Sequence, residues 1–156
     1  MPANANLILE HSSAVPYYTD MRRVMLALGI SAKKFDWYIS DIETNVGELF
    51  PIEDRWLEGE SLQRILDEHE IQFIWAVFSA VPRGYRRDVK VAPFADGNRN
   101  YWNDADVKPQ LPGALFEIAA WDSSATLFVG LPEALSDSLL VGLPATRPLV
   151  EAQRRT

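Results

Sequence analysis

Ile71-Gln72-Phe73-Ile74-Trp75-Ala76-Val77-Phe78-Ser79-Ala80-Val81 is the stretch whose reading decides the fold. Phe73, Trp75 and Val77 would lie on one face of a strand here, and Ile74, Ala76 and Phe78 on the other. A strand with one wet face alternates apolar and polar residues. Apolar residues at both parities therefore predict a strand covered on both sides and central in its sheet.

Working outward toward the N-terminus, Ser61 is placed to cap a short helix whose Leu62, Ile65 and Leu66 share one face and which ends near His69. Before it, Phe35, Trp37 and Ile39 alternate with Asp36, Tyr38 and Ser40, the pattern of a half-buried strand. Asp41, Glu43, Asn45, Gly47 and Pro51 then break the chain into a loop. Tyr17, Met21, Val24, Met25 and Leu28 fall at helical spacing, with Pro16 near the first turn and Gly29 as the stop. Asp20, Arg22 and Arg23 make up that helix's solvated face. Leu7-Ile8-Leu9 reads as a first strand.

Toward the C-terminus, Pro82-Arg83-Gly84 makes a turn and Val89-Lys90-Val91 alternates like a returning edge strand. Residues 92–113 carry three prolines and two glycines without a period. A connection of that length is either functional or conceals an element. Leu115 to Trp121 and Thr126 to Leu131 form a hairpin around Asp122-Ser123-Ser124. A last helix opens at Pro132-Glu133 and turns Leu135, Leu139 and Leu140 inward.

The expected order is β-α-β-α-β-β-β-β-α. This is an α+β domain with a mixed, mainly antiparallel sheet of about five to six strands and two or three helices packed on it. Residues 1–145 would form that single domain, and residues 146–156 a mobile tail.

The 156 residues are 47% hydrophobic and 24% charged, which suits a globular chain. There is no cysteine, so disulfides, thiolate metal sites and cysteine nucleophiles are excluded. A basic leader is absent, and no apolar run approaches the roughly 20 residues of a membrane span. The chain is expected in the cytoplasm, without membrane contact. Its net charge of −7 argues against a nucleic-acid partner.

No phosphate-binding glycine loop or Gly-x-Ser-x-Gly elbow occurs. His69-Glu70 begins like a zinc-protease motif, but Phe73 stands where the second histidine belongs. His69 reads as packing at the edge of the core, and His11 as a loop residue. These absences point away from an enzyme, and no cofactor or metal is implied.

Charge is unevenly spread. From Asp36 to Glu60 there are eight acids (Asp36, Asp41, Glu43, Glu48, Glu53, Asp54, Glu58 and Glu60) against Arg55 alone, a net of −7 that equals the charge of the whole chain. A concentrated field of one sign steers an oppositely charged partner. Asp41, Glu43, Glu48, Glu53, Asp54 and Glu58 are thus candidates for docking a basic protein. Tyr101 and Trp102 join them if exposed, because exposed aromatics anchor interfaces; if buried, they tie their loop to the core. The alternative use of the acids is a pocket built on Asp41, Glu43 or Glu117. Asp41 and Glu43, two apart on a strand, would share a face roughly 7 Å from one another, and Glu117 interrupts an apolar strand where burial would raise its pKa. The basic run Arg83, Arg86, Arg87 and Lys90 either binds an anion or pairs with the protein's own acids. Asp96-Gly97-Asn98 opens like a calcium loop, but Tyr101 and Val107 occupy two of its diagnostic positions.

Phe35-Asp36-Trp37-Tyr38-Ile39, Glu48-Leu49-Phe50-Pro51, Gly59-Glu60-Ser61-Leu62, Ala80-Val81-Pro82 and Trp121-Asp122-Ser123-Ser124 together resemble a family of small uncharacterised bacterial α+β proteins without assigned activity. In type the chain is also similar to bacterial immunity proteins, small acidic α+β domains that neutralise a basic toxin. The resemblance implies a compact bacterial α+β domain. The similarity of type implies a non-catalytic protein-binding module that meets a basic protein partner, of immunity or inhibitor kind. Pairing into a homodimer is a third expectation.

Overall fold

The computed structural model describes residues 4–10 and 18–153. The expectations for His11, Pro16 and Tyr17 fall outside those residues. Seven strands form one antiparallel sheet: β1 (Ala5–Leu9), β2 (Phe35–Thr44), β3 (Arg55–Glu58), β4 (Phe73–Pro82), β5 (Phe116–Trp121), β6 (Ala125–Leu131) and β7 (Arg147–Pro148). Their spatial order is β3-β2-β4-β5-β6-β1-β7. Five helices accompany them: α1 (Met21–Leu28), α2 (Gly59–Glu68), α3 (Asn100–Asn103), α4 (Glu133–Gly142) and α5 (Leu149–Gln153). The mixed helix-and-sheet class and the antiparallel pairing agree with the sequence reading, while strands and helices are both more numerous than expected.

One face of the sheet is covered by helices. Met21, Val24, Met25 and Leu28 of α1, Leu62 and Leu66 of α2, and Leu139 of α4 pack on Leu9, Trp37, Ile39, Phe78, Ile118 and Phe128. Each such side chain contributes about 2 kcal/mol by leaving water. The start of α1 is fixed by Asp20, whose carboxylate accepts the Arg23 N–H at 3.2 Å, so this residue caps the helix instead of lying on its wet face. Gly29, at φ 70°, closes the helix in the left-handed conformation that an L side chain resists. Helix α2 begins at Gly59, and Ser61 lies inside it, so Ser61 is not its cap. A Cβ on Gly59 would stand 2.2 Å from the Ala32 carbonyl oxygen and 2.4 Å from that of Phe35. Only glycine lets α2 press this closely on the chain entering β2.

The other face is the larger departure. It is covered as well, by the connection between β4 and β5 together with α3 and α5. Ile8, Val77, Ala119, Leu127 and Val129 lie under Ala95, Tyr101, Val107, Leu149 and Ala152. Nearer the β3 edge, Tyr38 and Val81 lie under Leu111, with Trp56 and Tyr85 beside them. Strand β2 is therefore buried on both faces over Asp36 to Ser40, not half-buried. Strand β4 is interior and two-sided as read, although β5 holds the middle of the seven. Phe73 sides with the helix-face cluster, edge-on to Phe50 and Phe78, because the β2–β4 register slips between Glu43 and Thr44.

Other expectations change with this second layer. Val89–Val91 forms no strand; Val89 packs from irregular chain against the sheet. The 92–113 connection contains one turn of helix, α3. Leu140 is exposed, and Leu143 takes the inward place expected of it. The segment read as a mobile tail is built in through residue 153: Arg147 and Pro148 pair with β1, and Leu149 and Ala152 are buried. No helix among the described residues is long and apolar enough to cross a membrane.

Candidate functional site

The acid-rich segment occupies one edge of the sheet: the end of β2, the loop that follows it, the edge strand β3 and the entry to α2. Its carboxylates divide into two groups. Asp36, buried, accepts from the Gly84 N–H at 3.1 Å and from Arg86 Nε at 3.0 Å. Asp41 accepts from the Ala95 and Asp96 N–H groups, both at 2.9 Å, and its own N–H donates to Asp54 Oδ1 at 3.0 Å. Glu60 pairs with Arg83 at 2.9 Å. These four acids are committed within the protein. Glu43, Glu48, Glu53 and Glu58 are exposed and form no ion pair among the described residues.

Between β2 and β3 the loop offers Leu49 and Ile52 to solvent, Ile52 at 69% exposure, flanked by Glu48 and by Glu53-Asp54. The loop is held in shape from below. Phe50 is fully buried and meets the Phe73 ring edge-on at 5.1 Å. The Arg55 guanidinium lies 4.9 Å over the Phe50 ring and donates to the Pro51 and Glu53 carbonyls at 3.0 and 3.2 Å. Arg55, the lone cation of the segment, is thus spent on backbone and on the nearby Glu53 carboxylate, which leaves the segment's acids in excess. Neither Leu49 nor Ile52 is among the docking residues expected from the sequence. The available signal was an apolar residue on each side of Phe50-Pro51 with acids beyond.

Asp41 and Glu43 do not act as a pair. Asp41 takes φ 54°, in the left-handed region, which breaks strand parity at that residue. Its carboxylate turns to the 95–96 backbone while Glu43 sits opposite Trp75. Among the described residues no group of three or more His, Asp or Glu side chains is assembled to hold a metal.

Glu117 is fully buried on the second face and forms the heart of a closed network. The Tyr101 hydroxyl donates to Glu117 Oε2 at 2.5 Å, and the Gln110 N–H donates to Oε1 at 2.9 Å. Gln110 Nε2 donates to the Tyr101 hydroxyl at 2.8 Å and to the Phe94 carbonyl at 3.0 Å. Burial pushes the Glu117 carboxyl up, against the pull of these donors, and pushes the Tyr101 phenol well above its ordinary value, with the neighbouring Glu117 adding to the shift. Both carboxylate oxygens have donors from the protein, so the group braces the cover of the sheet. Tyr101 is therefore core, not an exposed docking residue. Trp102 is half-buried beside Trp121, ring centroids 5.0 Å apart.

The basic run is split. Arg83 and Arg86 pair internally with Glu60 and Asp36. Arg87 stacks on the Tyr85 ring at 4.4 Å and donates to its hydroxyl. Lys90 is exposed, without an ion pair among the described residues.

No protein-family model, curated protein or solved structure matches the chain.

Proposed function

We propose that the protein is a non-catalytic binding module whose β2–β3 loop docks a basic protein, with inhibition or immunity as the role such capture suits. The observation that carries this reading is the combination, along one braced edge, of exposed carboxylates in excess over the single cation Arg55 and exposed aliphatic side chains. Leu49 and Ile52 supply an apolar centre and Glu43, Glu48 and Glu53 an acidic rim, the usual division of labour at a protein interface. The rim speeds encounter with a cationic partner and selects against acidic ones. The central contact sets how long the complex lasts. Relative to the sequence reading, the docking set becomes Glu43, Glu48, Glu53 and Glu58 with Leu49 and Ile52 added, because Asp41 and Asp54 are braces, Tyr101 is core and Trp102 packs on Trp121.

The test is capture from native lysate at low and high salt, read by mass spectrometry. The native chain should retain a basic protein in a salt-sensitive manner. Replacing Glu43, Glu48 and Glu53 by lysine, with Asp54 left to hold Asp41, should abolish capture without changing the thermal midpoint by more than a few degrees. Capture of the same proteins by native and reversed chains would overturn the reading.

A further inference from the structure

Trp56, Val81 and Leu111 enclose, with the irregular segment that follows β4, a cavity of about 360 Å³. That is within the range of small-molecule sites. The cavity lies on the second face of the sheet and shares no acid with the docking loop. Tyr85 is pinned at its wall: Gly113, at φ 86°, comes so close that a Cβ there would stand 2.7 Å from the phenol ring. Tyr85 in turn fixes Arg87, whose guanidinium stacks on it at 4.4 Å.

The charge around the cavity decides the ligand. Of the four basic residues in the run 83–90, Arg83 and Arg86 are neutralised by Glu60 and Asp36. The other two, Arg87 and Lys90, line the cavity, and neither forms an ion pair among the described residues. Asp88 is the one carboxylate in the lining, which leaves a net charge of one positive. Arg87's hydrogen-bond partner is the Tyr85 hydroxyl and not a carboxylate, so its charge is held in place without being cancelled.

We propose that this cavity binds a small organic monoanion with a flat apolar body, an aromatic carboxylate or sulfonate, its ring against Trp56, Val81 and Leu111 and its anionic group at Arg87 and Lys90. Charge-assisted bonds to an acid group are the stronger contacts, and the apolar walls supply most of the buried area.

Anilinonaphthalene sulfonate is the probe, titrated by calorimetry and fluorescence against the full chain, with neutral phenylnaphthylamine as its uncharged counterpart. Binding of one sulfonate per chain is expected, with the neutral compound about tenfold weaker or worse. Arg87→Gln with Lys90→Gln should weaken the sulfonate by about tenfold or more and leave the neutral compound unchanged. Ala92→Trp, which fills the cavity, should abolish both. Equal affinity for the two compounds, an unchanged affinity in the double glutamine variant, or full binding by a folded Ala92→Trp chain would each overturn the proposal. If Ala92→Trp does not fold, the double variant decides alone, since Arg87 and Lys90 are exposed and their removal leaves the core intact.

Discussion

Tyr101→Phe removes one oxygen from the buried network and nothing else, so its cost can be worked from the geometry. The hydroxyl donates to Glu117 Oε2 at 2.5 Å and accepts from Gln110 Nε2 at 2.8 Å. Gln110 Nε2 keeps the Phe94 carbonyl as acceptor, so the principal loss falls on Glu117. At pH 8 that loss is a hydrogen bond to a carboxyl group under pressure to ionise, worth about 2–3 kcal/mol. At pH 3.5 the carboxyl is protonated in folded and unfolded chains alike, and a neutral bond is worth about 1 kcal/mol. The sign follows from linkage. Burial raises Glu117 above its ordinary 4.5 in the folded state. Its contribution is therefore fully present below that value and declines as pH rises toward the folded pKa, because the unfolded chain releases the proton first. The Tyr101 hydroxyl holds the folded pKa down, and without it the decline extends to higher pH. Urea unfolding followed by tryptophan fluorescence at the two pH values, native against variant, measures the difference; other acids cancel between the two chains. A destabilisation that is equal at both pH values, or larger in acid, would refute the account of Glu117.

Two further perturbations address the cover of the sheet. Asp41→Ala withdraws the acceptor from the Ala95 and Asp96 N–H groups and leaves alanine at φ 54°. It should cost about 2 kcal/mol and speed hydrogen exchange at those two amides about tenfold or more; unchanged exchange there would show that Asp41 does not hold the cover. Leu149→Ala, at a position 1% exposed, should cost about 3 kcal/mol in urea unfolding. A loss below about 0.5 kcal/mol would return residues 147–153 to the status of a tail.

Much of the framework was legible because periodicity reports burial. Met21, Val24, Met25 and Leu28 mark α1, and the two-sided apolar run marks β4. Strand β3 was not legible. Arg55-Trp56-Leu57-Glu58 is a strand by virtue of pairing with Asp36 to Ile39, and four residues in an acid-rich segment carry no pattern of their own. Strand β7 and α5 share that difficulty, since their burial depends on β1 and the second core. The covering layer shows the limit most clearly. The sequence of β4 called for a cover on each face, but the second cover is largely irregular chain fastened by Ser40, Asp41 and Glu117, and such polar fastenings leave no periodic trace.

At the candidate sites, residue type was informative and direction was not. Eight acids in one segment announced a charged edge, yet whether Asp36 or Glu53 faced water depended on where Arg86 and Arg55 fell in space. Glu117 stood out as a carboxylate in an apolar strand, but its partners there, the Tyr101 hydroxyl and the Gln110 N–H, left no mark in the sequence. Asp41 misled because strand parity was assumed through a residue that abandons it.

The place of β1 bears on how the molecule is made. It is made before every other strand of the sheet, but its neighbours are β6 and β7, with Ala5 opposite Leu131 and Leu7 opposite Pro148. The hairpin of β2 and β3, and β4 after it, can assemble while translation continues. Strand β1 has to wait until β6 and β7 have emerged, carrying Leu7, Ile8 and Leu9 unshielded through that interval. Closure of the sheet is thereby coupled to the synthesis of β6 and β7, and a nascent chain stalled before residue 125 exposes an apolar strand edge that the folded sheet hides.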